Sequence, residues 1–269
     1  MDFNIGKIEK SVPRDESEYL AEDGLIHCRS CGGAREVIVK LFGEQKKVRC
    51  ICECMSNNLK AEAEQDRKRL IENNRKECFR GSRHIHSRFE TSEESEEMNV
   101  GRNYVKNFRE FLYEGTGILL YGKIGTGKSH LAACIANALI DDGYLCKMTN
   151  ISTMVNELQA SFEGRADYID SLRRYSLLII DDLGIERNTE YMTEQLYNII
   201  DARYTSGLPM IVTTNLSVEE MTKPANIESA RIYDRILDRC HPVEIKGTSR
   251  RRAHMKHDFE RMERLLKGE

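Results

Sequence analysis

Gly122-Lys123-Ile124-Gly125-Thr126-Gly127-Lys128-Ser129 stands between an apolar run, Ile118 to Tyr121, and a helical pattern that opens at Lys128. Glycines at this spacing let backbone N–H groups close around a phosphate chain, and a strand before and a helix after supply the context such a loop requires. Lys128 is placed to reach the β- and γ-phosphates of a nucleotide and Ser129 to hold Mg²⁺ through its hydroxyl, while the helix directs its positive end at the anion. Gly122, Lys123, Ile124, Gly125, Thr126, Gly127, Lys128, Ser129 and His130 form the candidate ATP-binding set.

Outward from this loop, short apolar runs alternate with amphipathic stretches, the pattern of a parallel sheet covered by helices. Strands are predicted over Ile118 to Tyr121, Leu145 to Thr149, Leu177 to Asp181 and Met210 to Thr214, with Val243 to Ile245 as a fifth. Helices are predicted over Lys128 to Leu139, Thr153 to Phe162 and Thr189 to Tyr204, with a last one from about Ser249 to Leu266. The fold class is therefore α/β, a parallel five-stranded sheet flanked by helices. Leu177-Leu178-Ile179-Ile180-Asp181-Asp182 reads as a buried strand ending in carboxylates. Asp181 is the candidate for the magnesium shell and Asp182 for polarising the attacking water. Asn215 ends the Met210 strand, where an amide can orient water, although a strand-end Asn also serves as a cap or turn residue.

The 269 residues accommodate this domain and a smaller module. No apolar run reaches the roughly 18 residues of a spanning helix, and the start lacks the apolar core of a secretory signal. A cytoplasmic location with reduced thiols is the expectation. A net charge of −3 leaves no basic footprint over the whole chain. Glu90 to Glu97 and Arg250-Arg251-Arg252 are local charge clusters, each read as a solvated face.

Five of the nine cysteines fall between Cys28 and Cys54. Cys28-Arg29-Ser30-Cys31-Gly32-Gly33 is a knuckle whose two thiolates can grip one side of a tetrahedral Zn²⁺. Cys50, Cys52 and Cys54 would share a face on a strand, so any two can complete the site; Cys52 and Cys54 are favoured, with Cys50 as a spare. His27 is excluded as a ligand by its spacing. From Ser56 to about Arg80 the chain is charged and free of Gly and Pro, a mostly exposed linking helix. Residues 81–100, rich in Ser and Glu, are predicted as a loop.

Taken in order, Gly122 to Ser129, Leu177 to Asp182, Thr213-Thr214-Asn215, Arg231-Ile232-Tyr233-Asp234-Arg235 and Gly247-Thr248-Ser249-Arg250-Arg251 resemble an AAA+ ATPase of the DnaC/DnaI helicase-loader family, related to the IstB transposition helpers. The resemblance implies three parts: an N-terminal zinc-binding, helicase-docking module over 1–54, a charged linking helix over 55–84, and an AAA+ domain over 85–269. It implies Asn215 as sensor 1, Arg235 as an arginine finger given to a neighbouring subunit, and Arg251 as the sensor-2 arginine. Arg231 and Arg239 lie on the same predicted helix and compete for the finger role. The implied cofactors are ATP, Mg²⁺ and Zn²⁺. The implied partners are a DnaB-type replicative helicase, single-stranded DNA and further copies of the chain. Lys147 to Asn150 and Asn156 to Gln159 are where the resemblance puts single-strand contacts, without a dense mix of basic and aromatic residues to support them. Asp182, where many AAA+ proteins carry Glu, implies turnover that is slow without oligomerisation. An IstB-like transposition ATPase, or an ATP-switched adaptor with little hydrolysis, is the alternative.

Overall fold

The computed structural model describes residues 11–160, 164–184, 190–224, 226–249, 259 and 262–267. The chain divides into two compact units, one ending at Leu70 and the other beginning at Ile71. In the first, β1 (Glu18–Leu20) pairs antiparallel with β2 (Ile26–Cys28), and β3 (Glu36–Leu41) with β4 (Glu44–Arg49). A two-residue Phe42-Gly43 turn closes the second hairpin with positive φ at both positions, 50° and 88°. The linking helix α1 runs Glu53–Phe79, within which the boundary between the units falls. It begins earlier than expected because β4 stops at Arg49 and Cys54 already belongs to the first turn. The shared strand face proposed for Cys50, Cys52 and Cys54 therefore does not exist.

In the second unit, α2 (Glu96–Lys106) and α3 (Phe108–Glu114) precede β5 (Gly117–Tyr121) and α4 (Lys128–Asp141). The loop expected over 81–100 ends at Ser95, whose hydroxyl accepts the Met98 N–H while Glu96 and Glu97 favour the helix N-terminus. β6 (Cys146–Asn150), α5 (Ile151–Ala160), α6 (Arg165–Ser171) and β7 (Leu177–Leu183) follow. The chain continues through α7 (Glu190–Ser206), β8 (Met210–Thr214), α8 (Val218–Thr222), α9 (Ile227–Arg239) and β9 (Cys240–Glu244). The last helix expected, Ser249 to Leu266, falls largely outside the described residues; of those within it, Ser249 is not helical, whereas Phe259 and 262–266 are.

The five strands β5 to β9 form one parallel sheet in the order β6-β7-β8-β5-β9. Period-two alternation divides their side chains between two cores. Ile118, Leu120, Leu177, Ile179 and Ile211 join α2, α3 and α4 on one face. Leu119, Leu178, Ile180, Met210 and Val212 join α5, α7 and α9 on the other. β5 and β8 are thus neighbours, and the loop after β5 opens beside the ends of β7 and β8. No helix among the described residues is long and apolar enough to cross a membrane.

Arg203 is the keystone of the α7 side. It is 2% exposed and donates to the carbonyls of Pro209, Tyr175, Ser176 and Leu172, with burial pushing its pKa down to about 10. Arg203→Leu would leave those carbonyls dry and unpaired, so a loss of roughly 3–5 kcal/mol is expected. Urea unfolding that shows less than about 1 kcal/mol would contradict this account.

Candidate nucleotide and metal sites

The phosphate loop turns sharply because its glycines occupy backbone space that other residues avoid. Gly122 has φ 139° with its α-carbon pressed against β9's exit, where a Cβ would come within 2.6 Å of the Ile245 carbonyl; Gly127 takes φ 109° immediately before α4. Lys128, 4% exposed, donates through Nζ to the carbonyls of Gly122 (2.8 Å) and Lys123 (2.9 Å) and to Asn215 Oδ1 (2.7 Å). The loop lysine and the amide at the end of β8 are therefore brought together across the sheet. Thr126 closes the loop by donating to the Lys123 carbonyl, and Ser249 lies against Gly125.

On the adjacent strand, Thr213 Oγ1 donates to Asp181 Oδ1 at 2.7 Å and accepts the Asp182 N–H at 2.8 Å. Asp181 is half-buried and Asp182 exposed with φ 56°, at a register shift between Ile180 and Leu183. The shift puts successive carboxylates in different environments, Asp181 half-buried against Thr213 and Asp182 exposed. The sequence reading missed Thr213 as an individual residue. Its signal was a hydroxyl at the register position beside the acids, legible only once β7 and β8 are paired.

Ser129 is half-buried in the first turn of α4. The His130 ring bonds Ser92 Oγ at 2.7 Å and approaches Cys134 Sγ at 3.6 Å, so its side chain ties α4 to the segment before α2. Arg235 is not part of this assembly of side chains: it turns toward α7, against Asp201 and Tyr197. Arg251 lies outside the described residues. Lys147 is buried on β6 facing Glu157 at 3.6 Å, where burial lowers its pKa, and Asn150 caps α5 through Thr153 N–H. The strand expected to meet single-stranded DNA thus keeps its lysine inside the fold.

In the first unit, the Sγ atoms of Cys28, Cys31, Cys52 and Cys54 lie within 4.8 Å of one another. Cys28 and Cys54 are 3.6 Å apart, Cys52 and Cys54 3.4 Å. Four thiolates about 3.8 Å apart are what roughly 2.3 Å bonds to a tetrahedral Zn²⁺ require, so the donor set fits that ion. The loops prepare it: backbone N–H groups of Cys31 and Ser30 hold the Cys28 thiol down at about 6, and the Met55 N–H lowers Cys52. Cys54, hydrogen-bonded first to Cys52, is pushed up to about 12. Cys50 stays outside and bonds the Ala34 carbonyl. His27 is occupied by Asp23 and the Gly32 carbonyl.

A family model described as IstB-like ATP binding protein matches residues 60–258. Among curated relatives, the replicative helicase loader DnaI of Bacillus subtilis (strain 168) is 26% identical over 161 residues, 55% of this chain and 51% of its own length. The replicative helicase loader DnaC of Escherichia coli (strain K12) is 29% identical over 143 residues, covering 52% and 56%. This chain thus spans little more than half the length of either relative. The crystal structure of the DnaC helicase loader superposes with a TM-score of 0.55 at 23% identity, covering 62% of this chain and 100% of that one, which establishes a shared fold. With its parallel sheet, its phosphate loop and a family match running through both, the chain belongs to the IstB-like ATP-binding protein family and has an AAA+ type fold.

Proposed function

We propose that the protein is an ATPase that loads a replicative hexameric helicase onto single-stranded DNA, its N-terminal unit gripping the helicase. The observation that carries the ATPase half is the junction of Lys128, Asn215 and, through Thr213, Asp181 at one end of the sheet. Lys128 would exchange its loop carbonyls for β- and γ-phosphate oxygens, Asn215 would then be released to orient water, and Ser129 and Asp181 would hold Mg²⁺. Bound Mg²⁺ supplies neutralisation of phosphate charge. Asp182, exposed at the strand end, would polarise the attacking water. Arg235 and Arg251 would meet the transferring phosphoryl, Arg235 from a neighbouring copy.

The client is supported by the helicase loaders among the relatives and by the first unit's surface. Val37, Leu41, Phe42 and Val48 are exposed on the β3–β4 hairpin, an apolar strip suited to a protein partner. Co-purification with a DnaB-type helicase, with and without ATP, tests this reading, and failure to co-purify in either condition would remove it. Phe42→Glu, at a fully exposed turn position, is expected to weaken capture by about tenfold or more without unfolding the unit.

A second reading, an ATPase that assists a transposase, is favoured by the family match itself and by a relative described as a putative ATP-binding protein in an insertion sequence. Capture of a transposase in place of the helicase would select it.

A further inference from the structure

Arg235 leaves α9 and folds back on its own chain. Its Nη2 pairs with Asp201 Oδ1 at 2.7 Å and donates to the Tyr197 hydroxyl at 2.9 Å, and its Nη1 donates to the Arg231 carbonyl at 3.3 Å. The guanidinium carbon stands 4.7 Å from the centre of the Tyr197 ring and 5.7 Å from that of Tyr204. Arg239, one turn on, packs on Tyr204 at 4.8 Å. Two aromatic faces and a carboxylate, all from α7, thus hold a side chain that is 23% exposed.

A guanidinium committed to a carboxylate and a ring face does not at the same time neutralise a phosphoryl group on another molecule. Yet the pose is incomplete, because Arg235 Nε is buried and makes no hydrogen bond among the described residues. Asp201 is 41% exposed, so the single carboxylate works against solvent screening. A triphosphate presents more charge than one carboxylate and offers a guanidinium the paired acceptors it lacks here.

We propose that Asp201 and Tyr197 form a latch that stows Arg235 in the unassembled chain and releases it when α9 meets the nucleotide of a neighbouring copy. The inference rests on Arg235 being the arginine given across the subunit boundary. The latch sets a cost on assembly-dependent hydrolysis: single protomers keep the arginine sheathed, and only a neighbour with bound nucleotide draws it out.

The test is ATP turnover of the full chain as a function of protein concentration, with melting temperature as a control for folding. Asp201→Asn keeps the side chain's shape and removes its charge; Tyr197→Phe keeps the ring and removes the hydroxyl. Both variants are expected to lower the concentration giving half-maximal turnover, Asp201→Asn by about three- to tenfold and Tyr197→Phe by less, with unchanged maximal turnover. The latch is overturned if both variants leave the concentration dependence unmoved, if either lowers maximal turnover in the folded protein, or if wild-type turnover shows no concentration dependence. Arg235→Ala separates the two layers of the argument. Wild-type turnover in that variant sinks the assignment of Arg235 itself, whereas lost turnover with an unmoved Asp201→Asn curve sinks only the latch.

Discussion

Lys128→Ala is expected to abolish nucleotide binding and to lower ATP turnover by more than about 10³-fold. Lys128 is buried at the start of α4, and three acceptors point its ammonium into the bend of the loop. Two of those acceptors are carbonyls of the loop itself, so the lysine is already oriented where the phosphates would enter. Each charge-assisted contact to phosphate is worth roughly 1.5–3 kcal/mol, and losing two of them weakens binding by about 10² to 10⁴-fold. A second effect compounds the first. Without the ammonium, Asn215 loses the donor that now occupies its Oδ1 and is no longer coupled to the loop. Fluorescent ATP-analogue titration and steady-state turnover check both consequences. Binding within threefold of wild type would mean that backbone N–H groups alone hold the nucleotide, and the role given to Lys128 would be wrong. Lys128→Arg sharpens the point: charge is kept, but the longer planar head does not fit the bend occupied by Nζ, so little binding is expected back.

Where the sequence carries both a motif and the hydrophobic period around it, structure and reading coincide closely. The β8 strand was legible residue for residue, and α4 and β7 differ from expectation only at their ends, because short apolar runs in the strands and an Ala- and Leu-rich stretch directly after the glycine loop leave little freedom. The misses have local causes. α2 hides its apolar face among glutamates, and only the Ser95 cap marks its start. The helical first turn at Cys54 cannot be inferred from a cysteine spacing that fits a strand equally well. Arg203 carries no motif at all: its partners are carbonyls of Leu172, Tyr175, Ser176 and Pro209, and carbonyls leave no trace in a sequence. The direction of Arg235 was hidden for a related reason. A resemblance supplies a residue's place on a helix, whereas its contacts with Asp201 and Tyr197 depend on how α7 and α9 pack.

Stripping metal from the first unit is expected to unfold it while leaving ATP binding intact. Among its described residues the buried apolar side chains are Ile26, Cys28 and Cys52, and two of these belong to the candidate metal-binding set. Two separate two-stranded hairpins are marginal alone in water. What else binds them is polar: the Arg35 N–H donates to the Ile26 carbonyl at 2.7 Å, and Glu18 pairs with Arg49 at 2.8 Å and Arg35 at 3.2 Å, its carboxyl held at about 2, first by the Arg14 N–H and then by Arg49. That cluster stays charged at any ordinary pH, so it cannot account for a loss of structure when metal is removed. A tetrahedral Zn²⁺ site supplies roughly 10–16 kcal/mol, far more than such a core can. Cys28→Ser and Cys52→Ser should therefore each cost about one equivalent of bound zinc and expose the amides of β1 to β4 to rapid hydrogen exchange. Cys50→Ser should do neither, since Cys50 lies outside the four-thiol cluster and donates to the Ala34 carbonyl. The Cys31 and Ser30 N–H groups hold the Cys28 thiol below the ordinary thiol range, so its thiolate resists protonation better than a free thiol's, and acidification, which protonates the donors, should release the zinc. Slow exchange throughout β3 and β4 in a zinc-free Cys52→Ser protein would show that the unit folds on its ion pairs and that the four thiols are not what holds it.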